Sequence, residues 1–154
     1  MTPTFVSESV EIHARPQVVW LVFSEIDKWP AWNPICVEAI SLDEEPWRAE
    51  GRFDFTLATE ERTYALTAKV VQAIPGRMVR WLCGWRGMAG DFEFSFEPFD
   101  GRTRVSASEQ RSGFVSSFLR LGIPPYQAEK LLRVWLESLG REAERRAREL
   151  REVV

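Results

Sequence analysis

Histidine is nearly absent from this chain: one, His13, in 154 residues. Any Ser–His–acid triad or Cys–His pair would have to recruit that residue, which sits at a turn with no nucleophile motif around it. Cysteine is as scarce, with Cys36 and Cys83 far apart and in no ligand spacing. They make neither a zinc motif nor a disulfide framework, and they fit free core thiols in a reducing compartment. No metal site is expected. No run approaches the ~20 apolar residues of a membrane span, and the N-terminus lacks the basic start of a secretory signal. The expectation is a cytoplasmic protein with no membrane insertion. No segment is strongly basic and the net charge is −3, so the phosphate-neutralising footprint of a nucleic-acid binder is missing. Gly84, Gly87 and Gly90 follow neither the dinucleotide nor the phosphate-loop pattern, and no cofactor is called for. Repeats and low-complexity tracts are lacking too. Residues 1–154 read as one domain, long enough to bury roughly 70% of its unfolded surface without staples.

What the chain has in quantity is aromatic rings: seven tryptophans and ten phenylalanines. They fall on a regular pattern. Val6, Val10 and Ile12 alternate with polar residues as a strand with one apolar face, and Glu8 lies on that face. Pro16 then opens a helix that is apolar nearly all round (Val18 to Ile26), as a buried helix must be. Lys28 to Pro34 is a compact element whose prolines forbid a longer helix. Strands follow at Ile35–Leu42, Arg52–Thr59, Thr63–Ile74, Arg77–Trp85, Phe92–Phe96 and Thr103–Ser112. Asp43–Gly51 reads as a polar connection, and Gly84, Gly87 and Gly90 as the bracket of a flexible one. Pro75-Gly76 and Asp100-Gly101 are turn signals, the second the strongest hairpin mark in the chain. Sequential strands with tight turns and helices at the ends give an α+β fold with an antiparallel sheet of seven strands.

The chain closes with one long amphipathic helix from Tyr126 to about Glu152. Ala128, Leu131, Leu132, Trp135, Leu136, Leu139, Ala143 and Leu150 fall in a stripe about 140° wide, suited to packing on a sheet. Arg146 lands inside the stripe, so the last two turns are expected to project or fray. Glu137–Arg141, Glu142–Arg146 and Glu144–Arg148 have the favourable i,i+4 order of a solvated face. Before the helix, Phe114 to Ile123 is too apolar for an ordinary loop. It reads as a short lid or as rim packing.

Candidate chemistry concentrates on the last strand. Glu109 and Arg111 continue the face of Val105 and Ala107, while Arg104, Ser106, Ser108 and Gln110 must see water. An inward Glu109 is a candidate general acid or base; the alternative is that Glu109 and Arg111 pair and merely fix the strand end. Phe53, Phe55, Leu57, Leu66, Val79, Trp81, Phe92, Phe94 and Trp135 are the candidate pocket wall. Tyr64 and Trp81 carry a polar handle on an apolar body.

Val10-Glu11-Ile12-His13-Ala14 with Pro16, Val19-Trp20, Trp29 and Trp32-Asn33-Pro34 resembles the opening of polyketide cyclase/dehydrase-like proteins of the START-like, helix-grip superfamily. Gly101-Arg102-Thr103-Arg104-Val105, then Glu109 and Ser112-Gly113, resembles that family's last strand. Leu131, Trp135, Leu139 and Glu142 resemble its closing helix. His13 departs from it, standing where a small polar residue is more usual. The resemblance implies a curved seven-stranded antiparallel sheet wrapped around the last helix, with short helices near the N-terminus. It also implies that the first and last strands are neighbours, so that Glu8 and Glu109 face one space. Three functions are then open. The first is binding of a hydrophobic or aromatic small molecule in an internal cavity, with Glu8, Phe53, Phe55, Tyr64, Trp81, Phe94, Glu109, Arg111 and Trp135 as contacts. The second is a cyclase, aromatase or dehydrase with Glu109 moving protons. The third is a co-chaperone-like interaction module using Phe114 to Ile123. A monomer or a homodimer fits each.

Overall fold

The structure, a computed structural model, describes residues 4–61, 63–85, 88–112 and 125–152. Its strands are β1 (Thr4–Ile12), β2 (Cys36–Ser41), β3 (Arg52–Ala58), β4 (Thr63–Ile74), β5 (Met78–Trp85), β6 (Met88–Phe99) and β7 (Arg102–Ser112). Its helices are α1 (Pro16–Ser24), the four-residue α2 (Trp29–Trp32) and the closing α3 (Pro125–Glu152), with a 3-10 turn at Ile26–Lys28. The sheet runs β1-β7-β6-β5-β4-β3-β2, antiparallel throughout. The expected seven-stranded helix-grip architecture is present, with α3 lying chiefly against β1. The approach is close: a Cβ added at Gly140 would stand 3.4 Å from Ile12 Cγ1.

Local chemistry accounts for the joints. Asp100 and Gly101 both take positive φ (50° and 75°), the pair of left-handed residues that a two-residue hairpin matching strand twist requires. Gly76 has φ 79°, and the Arg77 N–H donates to the Ile74 carbonyl at 2.8 Å, closing the Pro75-Gly76 turn. Gly84 and Gly90 differ from expectation. They are rungs of the β5–β6 ladder, Gly84 opposite Ala89 and Cys83 opposite Gly90, so the hairpin runs on through positions read as a flexible connection.

The Asp43–Gly51 connection is also more than polar chain. It carries Trp47 into the interior, where the indole N–H donates to the Ser24 carbonyl at 2.8 Å. The loop is pinned from below by Glu50 N–H to the Val70 carbonyl at 2.9 Å and Val70 N–H to the Gly51 carbonyl at 2.7 Å. Its path leaves no room for a side chain at Gly51, where a Cβ would stand 1.9 Å from the Pro46 carbonyl oxygen.

On α3, Ala128, Leu131, Leu132, Trp135, Leu136, Leu139 and Ala143 are buried as the periodicity demands. Leu150 is 52% exposed, and the helix projects rather than frays. Arg146 is only 25% exposed, because Glu142 (3.4 Å) on its own helix and Glu25 (3.6 Å) beyond α1 both receive it. The Glu142–Arg146 pair forms as expected. Glu144 instead accepts the His13 backbone N–H at 3.0 Å, and Arg141 donates to Ser138 Oγ at 3.3 Å.

Candidate functional site

Alternation puts one side chain in two from each strand on the concave face. Those rows can be read across the sheet. Val6 pairs with Glu109, Glu109 with Phe92, Phe92 with Trp81 and Trp81 with Val70. One rung on, Glu8 pairs with Ala107, Ala107 with Phe94 and Phe94 with Val79. The interior therefore has two ends, and they differ in kind.

At the α1 end the space is filled by rings. Phe23 lies 5.0 Å from Phe94, 5.2 Å from Phe96 and 5.4 Å from Trp47, centroid to centroid. Trp29 lies 5.0 Å from Trp135, 5.5 Å from Phe53 and 6.2 Å from Phe55. These are the separations of tilted and edge-to-face pairs in full contact. The Trp29 indole donates to the Phe23 carbonyl at 2.7 Å and Trp47 to that of Ser24. Phe53, Phe55, Phe94 and Phe96 are at most 2% exposed. These rings fill this end of the interior as a solid aromatic plug.

The other end is looser. Val6, Leu57, Tyr64, Cys83, Phe92, Glu109 and Leu131 are buried, yet each keeps 4–9% of its surface. They come from β1, β3, β4, β5, β6, β7 and α3, and all lie toward the edge of the sheet where β7 ends and α3 begins. Leu131 also lines a 240 Å³ cleft with Ile35, Ala58, Thr59, Glu60, Glu61, Gln127, Lys130 and Val134. This cleft lies between the β3–β4 turn and the first turns of α3. Two roomier clefts of about 600 Å³ each sit at the opposite end, one between Glu25 and Asp43, the other between His13, Gly101 and Leu150. None of the three is lined by a ring of the interior.

The predicted site residues divide accordingly. Tyr64 and Glu109 are drawn to the looser end; Trp81 bridges it and the plug, stacked on Phe92 at 5.6 Å and on Phe94 at 5.2 Å, while Trp135 packs on Trp29 at 5.0 Å within the plug. Phe53, Phe55 and Phe94 belong to the plug. Glu8 is on the concave face as expected, one rung from Glu109, but its carboxylate is bound by Arg133 of α3 at 2.9 Å. Arg111 is placed by its backbone opposite Thr4 and Gly90; its side chain, and the Phe114–Ile123 segment, lie outside the described residues. Sequence reasoning missed Trp47, for which a lone tryptophan in a polar stretch was the available signal. It also missed the partners of Glu8 and Arg146, which lie across the fold and leave no local trace.

Both cysteines are free and buried. Burial pushes the Cys36 thiol up to about 11. The Cys83 thiol is also pushed up, first by burial and then by the neighbouring Glu109 carboxylate. Each therefore stays protonated in the fold through a pH range where the unfolded chain releases its protons. By linkage, the thiol contribution to stability is fully present below about 9 and is lost as pH rises toward 11. Urea denaturation across that range should show a shallower decline for a Cys36→Ala/Cys83→Ala double variant than for the parent. Equal slopes would contradict the assignment.

Among the described residues, four buried side-chain donors meet no acceptor of ordinary geometry: the indole N–H of Trp32, Trp81 and Trp135, and the Asn33 amide Nδ2. Trp81 has the Cys83 sulfur nearby, which slightly eases that thiol's ionisation, but no bond of ordinary geometry joins them. Among the described residues no helix is long and apolar enough to cross a membrane.

Residues 4–151 match the profile of a family described as "Polyketide cyclase / dehydrase and lipid transport". No curated protein sequence matches the chain. Among solved structures, the chain is similar to the ZhuI aromatase/cyclase from Streptomyces sp. R1128 (TM-score 0.73, 17% identity, covering 94% of this chain and 96% of that one). It is also similar to the di-domain aromatase/cyclase StfQ of the steffimycin biosynthetic pathway (TM-score 0.72, 18% identity, 94% of this chain, 52% of that one). A START superfamily protein from Mycobacterium smegmatis matches with TM-score 0.67 and 18% identity, over 95% and 98% of the two chains. At these identities the likeness is one of fold.

Proposed function

Because this chain belongs to the polyketide cyclase/dehydrase and lipid transport family, we propose that it binds a hydrophobic or aromatic small molecule between the sheet and the first half of α3. The observation that carries this reading is the residual exposure of a set of inward residues gathered at one end of the concave face. Tight packing would give these residues the near-zero exposure of Phe53, Phe55 and Phe94. Instead Tyr64, Phe92 and Leu131 keep open surface, and Leu131 lines a cleft at that end. Ring faces and aliphatic walls supply affinity there, and Glu109 is the charged group placed to orient a polar substituent. The plug sets the depth that a ligand can reach. A cytoplasmic setting and a monomeric or dimeric state accompany the proposal.

An enzymatic reading has one observation in its favour: Glu109 is a carboxylate, 4% exposed, set among apolar walls. A group so placed can pass a proton to or from a bound carbonyl compound. Glu109→Gln separates the two. In a carrier the variant should bind an extracted or synthetic hydrophobic ligand within about threefold of the parent. In an enzyme it should keep that affinity and lose turnover by roughly 100-fold or more, the usual worth of a positioned acid or base. Native mass spectrometry of protein taken from its host reports directly on occupancy. Protein that carries no copurifying small molecule, and binds none from a panel of aromatic and acyl compounds, would end the binding proposal.

A further inference from the structure

The cleft of about 600 Å³ between His13, Gly101 and Leu150 is bounded by the start of α1, the β6–β7 hairpin and the last turns of α3. Its walls are Ala14, Val18, Ala147 and Leu150, and two arginines, Arg15 and Arg151, complete it. No carboxylate lines it. In a chain with 23 acidic against 20 basic residues, that balance runs against the average. Neighbouring arginines are engaged: Arg104 by Glu11, Arg145 by Glu142 and Glu149, Arg146 by Glu142 and Glu25. Among the described residues, Arg15 and Arg151 have no carboxylate partner; Arg151 donates its Nε to the Ala147 carbonyl at 3.3 Å. The Glu144 carboxylate is occupied by the His13 backbone N–H at 3.0 Å. The turn that carries Arg15 is fixed in place. The Ala14 carbonyl accepts the Thr103 hydroxyl at 2.7 Å, and the Arg15 carbonyl accepts the Val18 N–H at 2.9 Å. Leu150 belongs to the apolar stripe of α3 yet is 52% exposed, so the stripe supplies an apolar wall that no strand covers.

We propose that this cleft binds an amphiphilic carboxylate, with its apolar chain against Val18, Ala147 and Leu150 and its carboxylate on Arg15 and Arg151. The site lies at the opposite end of the molecule from the interior one and is independent of it. The two halves of such a molecule need each other here. An apolar chain alone gains from the walls and nothing from the arginines. A small anion alone stays hydrated, because an exposed charge pair gains little by itself. Joined, the chain holds the carboxylate beside guanidinium groups whose planar N–H forks match it. The pinned turn lowers the ordering cost of that contact.

The probes are sodium octanoate and its uncharged counterpart 1-octanol, titrated into the 15N-labelled intact protein. Octanoate should move the backbone amide resonances of Gly101, Ala147 and Leu150 along a saturating curve. Each exposed charge pair is worth up to about fivefold, so octanoate should bind about tenfold tighter than octanol. Both arginine side chains are exposed, and the Arg15→Gln/Arg151→Gln double variant should keep the parent's melting temperature. It should bind octanoate about tenfold more weakly and octanol within about twofold of the parent. Added salt should weaken octanoate and spare octanol, since exposed charges are screened. Equal affinity for the two probes, or a double variant that binds octanoate as the parent does, overturns the inference. Shifts that appear around Tyr64 and Leu131 and not around the cleft overturn it too, while supporting the interior reading. Cleft resonances that ignore octanoate and broaden with phosphatidylserine vesicles would assign the face to a lipid surface, which also overturns it.

Discussion

Trp29→Ala should cost about 4–5 kcal/mol of folding free energy, the upper range for deletion of a buried tryptophan. The reason is position. Trp29 is fully buried and touches α1 through Phe23, the loop through Trp47, β3 through Phe53 and Phe55, β5 through Trp81 and α3 through Trp135. Removing it opens a void that those rings cannot collapse into without leaving their own partners. It also strands the Phe23 carbonyl at the end of α1, which accepts its indole N–H at 2.7 Å. A loss of that size is a large share of the roughly 5–15 kcal/mol that holds a domain folded. In urea the midpoint should fall with little change in slope, and the melting temperature should drop by roughly 10–15 °C. Trp29→Phe should lose much less. A cost under about 2 kcal/mol for the alanine would show that the plug is not packed as described.

Gly51→Ala should cost about 3 kcal/mol, the high end for forced overpacking. The new Cβ would lie 1.9 Å from the Pro46 carbonyl oxygen and 2.6 Å from its carbon, both backbone atoms. That oxygen cannot simply swing aside, since it accepts the Arg48 N–H at 2.9 Å. Relief has to come from moving the whole Asp43–Gly51 loop. That motion would loosen its two hydrogen bonds to Val70 and withdraw Trp47 from beside Trp20, Phe23 and Phe53. Thermal denaturation followed by circular dichroism measures the effect. Melting within a degree or two of the parent would mean that the loop takes another path.

Much of this fold is legible locally. Phe53, Phe55 and Leu57 show their face by alternation alone. Asp100-Gly101 states its turn because few pairs tolerate two positive φ values in succession. The stripe from Ala128 to Ala143 follows from 3.6-residue periodicity. These readings succeed because each depends on a neighbour within a turn or a rung. What periodicity cannot convey is how completely an inward face is filled. Phe94 and Phe92 differ by one rung and read alike, yet one is locked in the plug and the other borders open space. The difference is made by Phe23 and Trp135, which reach over β6 from α1 and α3 and pack on Phe94 at 5.0 and 5.3 Å. Glu8 shows the same limit: its inward direction follows from β1, while its partner Arg133 is set by how α3 crosses the sheet. Gly84 and Gly90 mislead in the opposite sense, since local composition favours a loop and pairing between β5 and β6 overrides it.

The division of the interior also bears on how such a molecule can change over time. On the proposed reading, stability is vested in rings that meet around Trp29, and selectivity in a handful of side chains at the far edge. Exchanging Leu57, Tyr64 or Leu131 alters what is accommodated without disturbing the keystone. A lineage carrying this design can try new ligands at small risk to its ability to fold. Drift at the keystone would be purged whatever the cargo.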